Sequence, residues 1–94
     1  MLELLRIRNL ALIEDLEMEF TDGLNVLTGE TGAGKSFILK ALSFVTGEKL
    51  EANLVRPGKE KAIVEALFVV DGDDLIIRRE LTADSGRSRL YIND

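Results

Sequence analysis

The sequence predicts an α/β fold, a mixed and largely antiparallel sheet around a single helix. Three observations predict it. Residues 11–20 alternate apolar and acidic side chains with the period of a half-buried strand. Ile38, Ala41, Leu42 and Val45 recur at the spacing of one helix face. Three further strand-like stretches, divided by Asp-Gly and Ser-Gly turns, close the chain. With 94 residues, the whole makes one domain near the small end of independent folding.

In order along the chain, residues 2–8 form a short strand, with Leu5 and Ile7 alternating against Arg6 and Arg8. In the next stretch Leu12, Leu16, Met18 and Phe20 share one face, and Asp15, Glu17 and Glu19 the other. Thr21-Asp22-Gly23 is a tight turn, since Gly supplies the positive φ such turns need. Leu24–Thr28 is an apolar, β-prone run. A helix then starts near Gly34 or Lys35 and continues to about Thr46, with Gly47 as the left-handed residue that ends it. Residues 48–60 are polar, carry the only proline, Pro57, and form a loop with one short helical turn around Glu51–Leu54. Ile63–Val70, Leu75–Leu81 and Ser88–Ile92, separated by Asp71-Gly72-Asp73 and Asp84-Ser85-Gly86, read as an antiparallel meander.

Composition excludes several classes of function. There is no cysteine, so no disulfide framework and no thiolate metal site, and no histidine, the usual general base. No apolar run approaches the length of a membrane span, and Met1–Arg6 lacks the pattern of a signal peptide. A net charge of −5 opposes nucleic-acid binding through the overall field. The acidic cluster Glu14, Asp15, Glu17, Glu19 and Asp22, and the basic group Arg78, Arg79, Arg87 and Arg89, read first as solvated strand faces.

The chemistry lies between the predicted strand 24–28 and the helix. Residues 29–36 read Gly-Glu-Thr-Gly-Ala-Gly-Lys-Ser, a complete phosphate-binding loop of the form G-x-x-x-x-G-K-[ST]. A triphosphate carries several negative charges on closely spaced oxygens, so binding it needs many donors converging at short range. Gly29, Gly32 and Gly34 let the backbone wrap with its N–H groups inward. The helix that follows offers free N–H groups and its positive dipole end. Lys35 adds a full charge for the β- and γ-phosphates, and the Ser36 hydroxyl serves Mg²⁺.

Hydrolysis requires a second carboxylate on the metal and a group that orients water. The one apolar run ending in Asp is Ala66–Asp71, but Gly72-Asp73-Asp74 and another strand follow at once. Asp71 therefore reads as a hairpin residue, with a metal carboxylate as the alternative. No guanine-reading Asn-Lys-x-Asp motif occurs. A binding half stands without a visible catalytic half, and no catalytic residue is assigned within the chain.

Beyond the loop, Ile7-Arg8-Asn9-Leu10-Ala11-Leu12-Ile13, Gly23–Leu27, Ala52-Asn53-Leu54-Val55-Arg56 and Gly86-Arg87-Ser88-Arg89-Leu90-Tyr91-Ile92-Asn93 resemble the start of the bacterial RecN family of DNA repair proteins. These belong to the SMC-like, ABC-type ATPases. The resemblance covers essentially the whole chain, and Pro57 departs from the small polar residue or lysine expected there. It implies that residues 1–94 are the N-terminal lobe of a P-loop ATPase head, cut from a longer protein. The rest of the head, with the Walker B aspartate, signature motif and catalytic glutamate, would lie beyond residue 94.

The resemblance implies ATP and Mg²⁺ as ligands. It carries over Gly29, Glu30, Thr31, Gly32, Ala33, Gly34, Lys35 and Ser36 as the nucleotide site, with Phe37 after them and Ser36 on the metal. Asn9 falls where this group brings the first strand towards the base, or is a plain turn asparagine. Arg56 reaches phosphate or DNA, or is an exposed loop arginine. Implied partners are the C-terminal lobe of the same head, a second head in a homodimer, and DNA in the intact protein. No membrane is implied, and the setting is the bacterial cytoplasm at the nucleoid. Other readings stay open: a stand-alone P-loop kinase or GTPase using Asp71, a non-catalytic docking or dimerisation module, and a DNA-binding module resting on the four late arginines.

Overall fold

In the computed structural model the described residues are 2–20 and 32–93, with 32–37 described as backbone alone. Strands β1 (Leu2–Leu10) and β2 (Ile13–Glu19) are followed by helix α1 (Gly32–Val45), a single 3-10 turn (Ala52–Leu54), and strands β3 (Lys61–Val70), β4 (Asp73–Thr82) and β5 (Ser88–Ile92). They form one sheet in the order β2-β1-β3-β4-β5, with every neighbouring pair antiparallel. The predicted turn 21–23 and strand 24–28, which would make the sheet mixed, lie outside the described residues.

Register explains the alternation read from the sequence. Paired residues of neighbouring strands share a face, and successive residues alternate faces. One face carries the rows Leu16–Ile7–Val64–Arg79–Leu90 and Met18–Leu5–Ala66–Ile77–Ile92. The other carries Glu17–Arg6–Glu65–Arg78–Tyr91 and Asp15–Arg8–Ile63–Glu80–Arg89, where acidic and basic side chains largely alternate across the strands. On this polar face Arg6 pairs with Asp15 at 3.4 Å and Lys61 with Glu80 at 3.3 Å. The bond to Asp15 and its charge hold the Arg6 guanidinium above its ordinary pKa.

Helix α1 packs on the apolar face. Its side chains Ile38, Ala41, Phe44 and Val45 join Leu5, Ile7, Leu10, Val64, Ala66 and Leu81 in one core. Each fully buried Leu, Ile or Phe contributes about 1.5–3 kcal/mol by leaving water. The expected stripe included Leu42, which is only half-buried, and omitted Phe44, which is fully buried. The helix is turned slightly from the predicted face because Phe44 fills the space against β4.

Strand limits differ from expectation at the hairpins. Leu12, expected on the apolar face of β2, lies in the two-residue loop Ala11-Leu12 between paired Leu10 and Ile13, and is 73% exposed. Strand β1 continues to Leu10, β3 starts two residues earlier than predicted and β4 extends at both ends, because their pairing runs from Lys61–Thr82 to Val70–Asp73 at the turn. Strand β5 has the predicted limits, and the short helical turn lies within the predicted residues.

Candidate functional site

The phosphate-loop motif divides at the boundary of the described residues. Gly29, Glu30 and Thr31 lie outside them. Gly32, Ala33, Gly34, Lys35, Ser36 and Phe37 form the opening turns of α1, described as backbone alone. The helix begins at Gly32, two residues before the predicted start, so it opens inside the motif. The first N–H groups of a helix lack partners within it, and among the described residues they belong to Gly32, Ala33 and Gly34. An anion at that end would meet these donors and the positive end of the helix dipole.

The opposite end of α1 is closed by three devices. Gly47, with φ +124°, donates its N–H to the Phe44 carbonyl at 3.1 Å, and Glu48 donates to the Ser43 carbonyl at 2.9 Å. These are the two bonds of a Schellman motif, and they need a left-handed residue at position 47. The Thr46 hydroxyl donates to the carbonyls of Leu42 and Ser43 at 3.1 and 3.0 Å. Arg79 of β4 supplies the third. Its Nη1 donates to the carbonyls of Phe44 and Glu48, its Nη2 donates to Ser88 Oγ at 2.9 Å, and its guanidinium stands 4.3 Å from the centre of the Phe44 ring. A cation at a helix C-terminus is also favoured by the dipole.

The role of Arg79 was not read from the sequence, where it was grouped with the solvated arginines. A signal was present: Arg78 and Arg79 are adjacent in a strand, so their side chains must point to opposite faces, and one must enter the apolar face. Arg78 takes the polar side, where it lies over the Tyr91 ring at 4.3 Å and beside Glu80 at 3.6 Å. Arg87 and Arg89 are exposed.

Asn9 and Arg56 are brought together, 47 residues apart in sequence. The Arg56 N–H donates to the Asn9 carbonyl at 2.8 Å, the Ala11 N–H to the Leu54 carbonyl at 2.7 Å, and Leu10 forms a bridge with Val55. Asn9 has φ +57°, a conformation Asn tolerates better than most residues. The half-buried Arg56 donates through Nη1 to the carbonyls of Ala11 and Leu12 at 3.3 and 3.2 Å, and so closes the β1–β2 loop.

Asp71 and Gly72 are the two loop residues of the β3–β4 hairpin, with φ +52° and +82°. Positive φ at both positions is the requirement of a type I′ turn, which favours Asp-Gly. Asp71 is exposed, in the turn position weighed first for it. Among the described residues, no group of three or more carboxylates gathers as for a metal ion, and no helix is long and apolar enough to cross a membrane.

A protein-family model described as an AAA domain matches residues 4–93. The DNA repair protein RecN of Vibrio cholerae serotype O1 is 38% identical over an alignment that takes in 99% of this chain and 20% of that protein. RecN of Bacillus subtilis strain 168 is also 38% identical, over 99% of this chain and 19% of its own length. The chain thus spans about a fifth of the curated relatives it matches. In solved structures the fold resembles the recombination mediator protein RecF bound to an ATP analogue, with a TM-score of 0.81 at 23% identity over 99% of this chain and 26% of that one. It also resembles the SMC head domain from Thermotoga maritima, with a TM-score of 0.73 at 24% identity over 98% and 36%.

Proposed function

Since the chain belongs to the AAA-domain family, we propose that it is the ATP-binding lobe of a RecN-like ATPase head acting in DNA double-strand break repair. One observation carries this reading: the phosphate-loop sequence runs directly into a helix that opens at Gly32 and packs on an antiparallel sheet. The 38% identity to RecN over nearly the whole chain supports the choice of family within the wider fold. In this reading the Gly29–Ser36 segment holds the triphosphate. Lys35 neutralises the β- and γ-phosphates, and the Ser36 hydroxyl would hold Mg²⁺, which supplies charge neutralisation when bound. In this reading Asn9, at the β1–β2 hairpin, would approach the base, and Arg56, which braces the loop next to Asn9, would reach phosphate.

The remaining parts of the reading concern the rest of a RecN-length protein. A C-terminal lobe would cover the apolar surface beside α1, where Leu90 and Ile92 stand more than half exposed. A second head would complete the site across a homodimer, and DNA would engage the intact protein, in a cytoplasmic, nucleoid-associated setting. Residues 1–94 alone bind nucleotide with little or no turnover.

Calorimetric titration of ATP with Mg²⁺ into the 94-residue chain tests this. Binding is expected in the wild type and lost in Lys35→Ala, with unchanged far-UV circular dichroism. Absence of binding in the wild type, or equal binding in the variant, refutes the nucleotide site. A clear ATPase rate that Lys35→Ala abolishes refutes the prediction of inactivity.

A further inference from the structure

We propose that Arg79 is a positioning residue of the nucleotide site: it anchors the far end of the phosphate-loop helix and thereby sets where the loop end stands. The proposal rests on the reading of residues 29–36 as an ATP site and adds a residue to it that no motif contains.

Arg79 occupies a place on the sheet where packing alone would select an aliphatic side chain. Its row on the core face is otherwise Leu16, Ile7, Val64 and Leu90. A charged group on such a face is costly unless its donors are satisfied. A residue that breaks the local pattern and is held by several specific partners marks a constraint beyond packing. Its partners come from three separate segments: the last turn of α1 at Phe44, the chain leaving the helix at Glu48, and β5 at Ser88.

Among the described side chains of α1, those that join the core on the sheet are apolar: Ile38, Ala41, Phe44 and Val45. Apolar burial is non-directional and leaves a helix some freedom to slide and roll. Hydrogen bonds from a planar guanidinium, stacked on the Phe44 ring at 4.3 Å, are directional and remove that freedom. A helix of 14 residues is a rod of about 21 Å at 1.5 Å per residue. Displacement at its anchored end therefore appears at the phosphate end as tilt or translation.

The experiment compares wild-type chain with Arg79→Met, Arg79→Lys and Ser88→Ala. ATP with Mg²⁺ is titrated at a temperature where circular dichroism shows each variant fully folded. Arg79→Met is expected to weaken ATP binding about tenfold. Arg79→Lys keeps the charge but cannot span all three partners, so an intermediate loss is expected, and a smaller one for Ser88→Ala. A lowered melting temperature with wild-type affinity in Arg79→Met would make Arg79 a stabilising residue only and overturn the proposal. If Arg79→Met does not fold, wild-type affinity in both remaining variants overturns it. Failure of the wild type to bind ATP removes the nucleotide reading and this proposal together, whereas normal wild-type binding with insensitive variants removes the positioning role alone.

Discussion

At the C-terminus of α1, Gly47 and Arg79 both donate to the Phe44 carbonyl, but they hold the helix end by different physics. Arg79 adds a charged donor, for which a hydrogen bond is worth about 1.5–3 kcal/mol. Gly47 contributes only a backbone conformation. At φ +124° nothing stands within 4 Å of where a Cβ would project, so substitution there meets no clash and costs conformational strain alone. Gly47→Ala is expected to destabilise the chain by about 1–2 kcal/mol, read as a lower urea midpoint with an unchanged slope. An unchanged midpoint would mean that the helix end is held by Arg79 and Thr46 without the left-handed residue. Asn9 belongs to the same scale, since its φ of +57° gives a backbone reason for asparagine beside any contact with a nucleotide.

At the scale of elements, the hairpins decide which carboxylates can serve a metal. Asp71 ends an apolar run and so looks from sequence like a metal-binding aspartate, but pairing of Val70 with Asp73 makes it one of two residues in a tight turn. Asp71→Asn keeps the turn chemistry, because Asn-Gly also favours this geometry, and removes the charge. Stability is expected within about 0.5 kcal/mol of wild type, with unaltered Mg²⁺-dependent ATP binding. Loss of the Mg²⁺ dependence would restore Asp71 as a metal carboxylate and favour the stand-alone enzyme. The β1–β2 hairpin is held differently, by a segment 45 residues away whose Arg56 donates to its loop carbonyls. Asn93 completes β5 in a similar way, donating its N–H to the Ile76 carbonyl and accepting from the Ile76 N–H through its side chain.

At the scale of the molecule, among the described residues one helix covers the centre of a five-stranded sheet and leaves its β5 side open. Leu5, Ile7 and Val64 are fully buried, while Leu90 and Ile92 on the same face are 56% and 55% exposed. They line an open groove of about 590 Å³ beside Val45 and Ile77. An exposed apolar groove next to the last strand of the sheet among the described residues favours association. Size-exclusion chromatography of the 94-residue chain should therefore show self-association that the double substitution Leu90→Lys with Ile92→Lys suppresses. Identical elution of the two would place no sticky surface there. In a RecN-length protein, the same substitutions would instead weaken docking of whatever covers this face.

Much of this was legible in the sequence, for reasons that can be named. Period-2 alternation determined the strands β1 and β2 because one sheet face is buried and the other wet, and the Asp84-Ser85-Gly86 turn marked the start of β5. The i, i+3, i+4 spacing and Gly47 determined the helix and its end, and Asp-Gly determined the β3–β4 turn. The order of residues 29–36 determined the candidate ligand, since phosphate binding by a glycine-rich backbone leaves a strictly local pattern. Tertiary structure alone decided what depends on contacts distant in sequence. It chose Phe44 over Leu42 as the buried residue of α1, and joined Arg56 to the loop after Asn9. It also sent Arg79 inward to the helix while Arg78 faced out. A guanidinium has the same sequence signature on a solvated face as in a clamp, and only the carbonyls that converge on Arg79, brought there by the fold, distinguish the two.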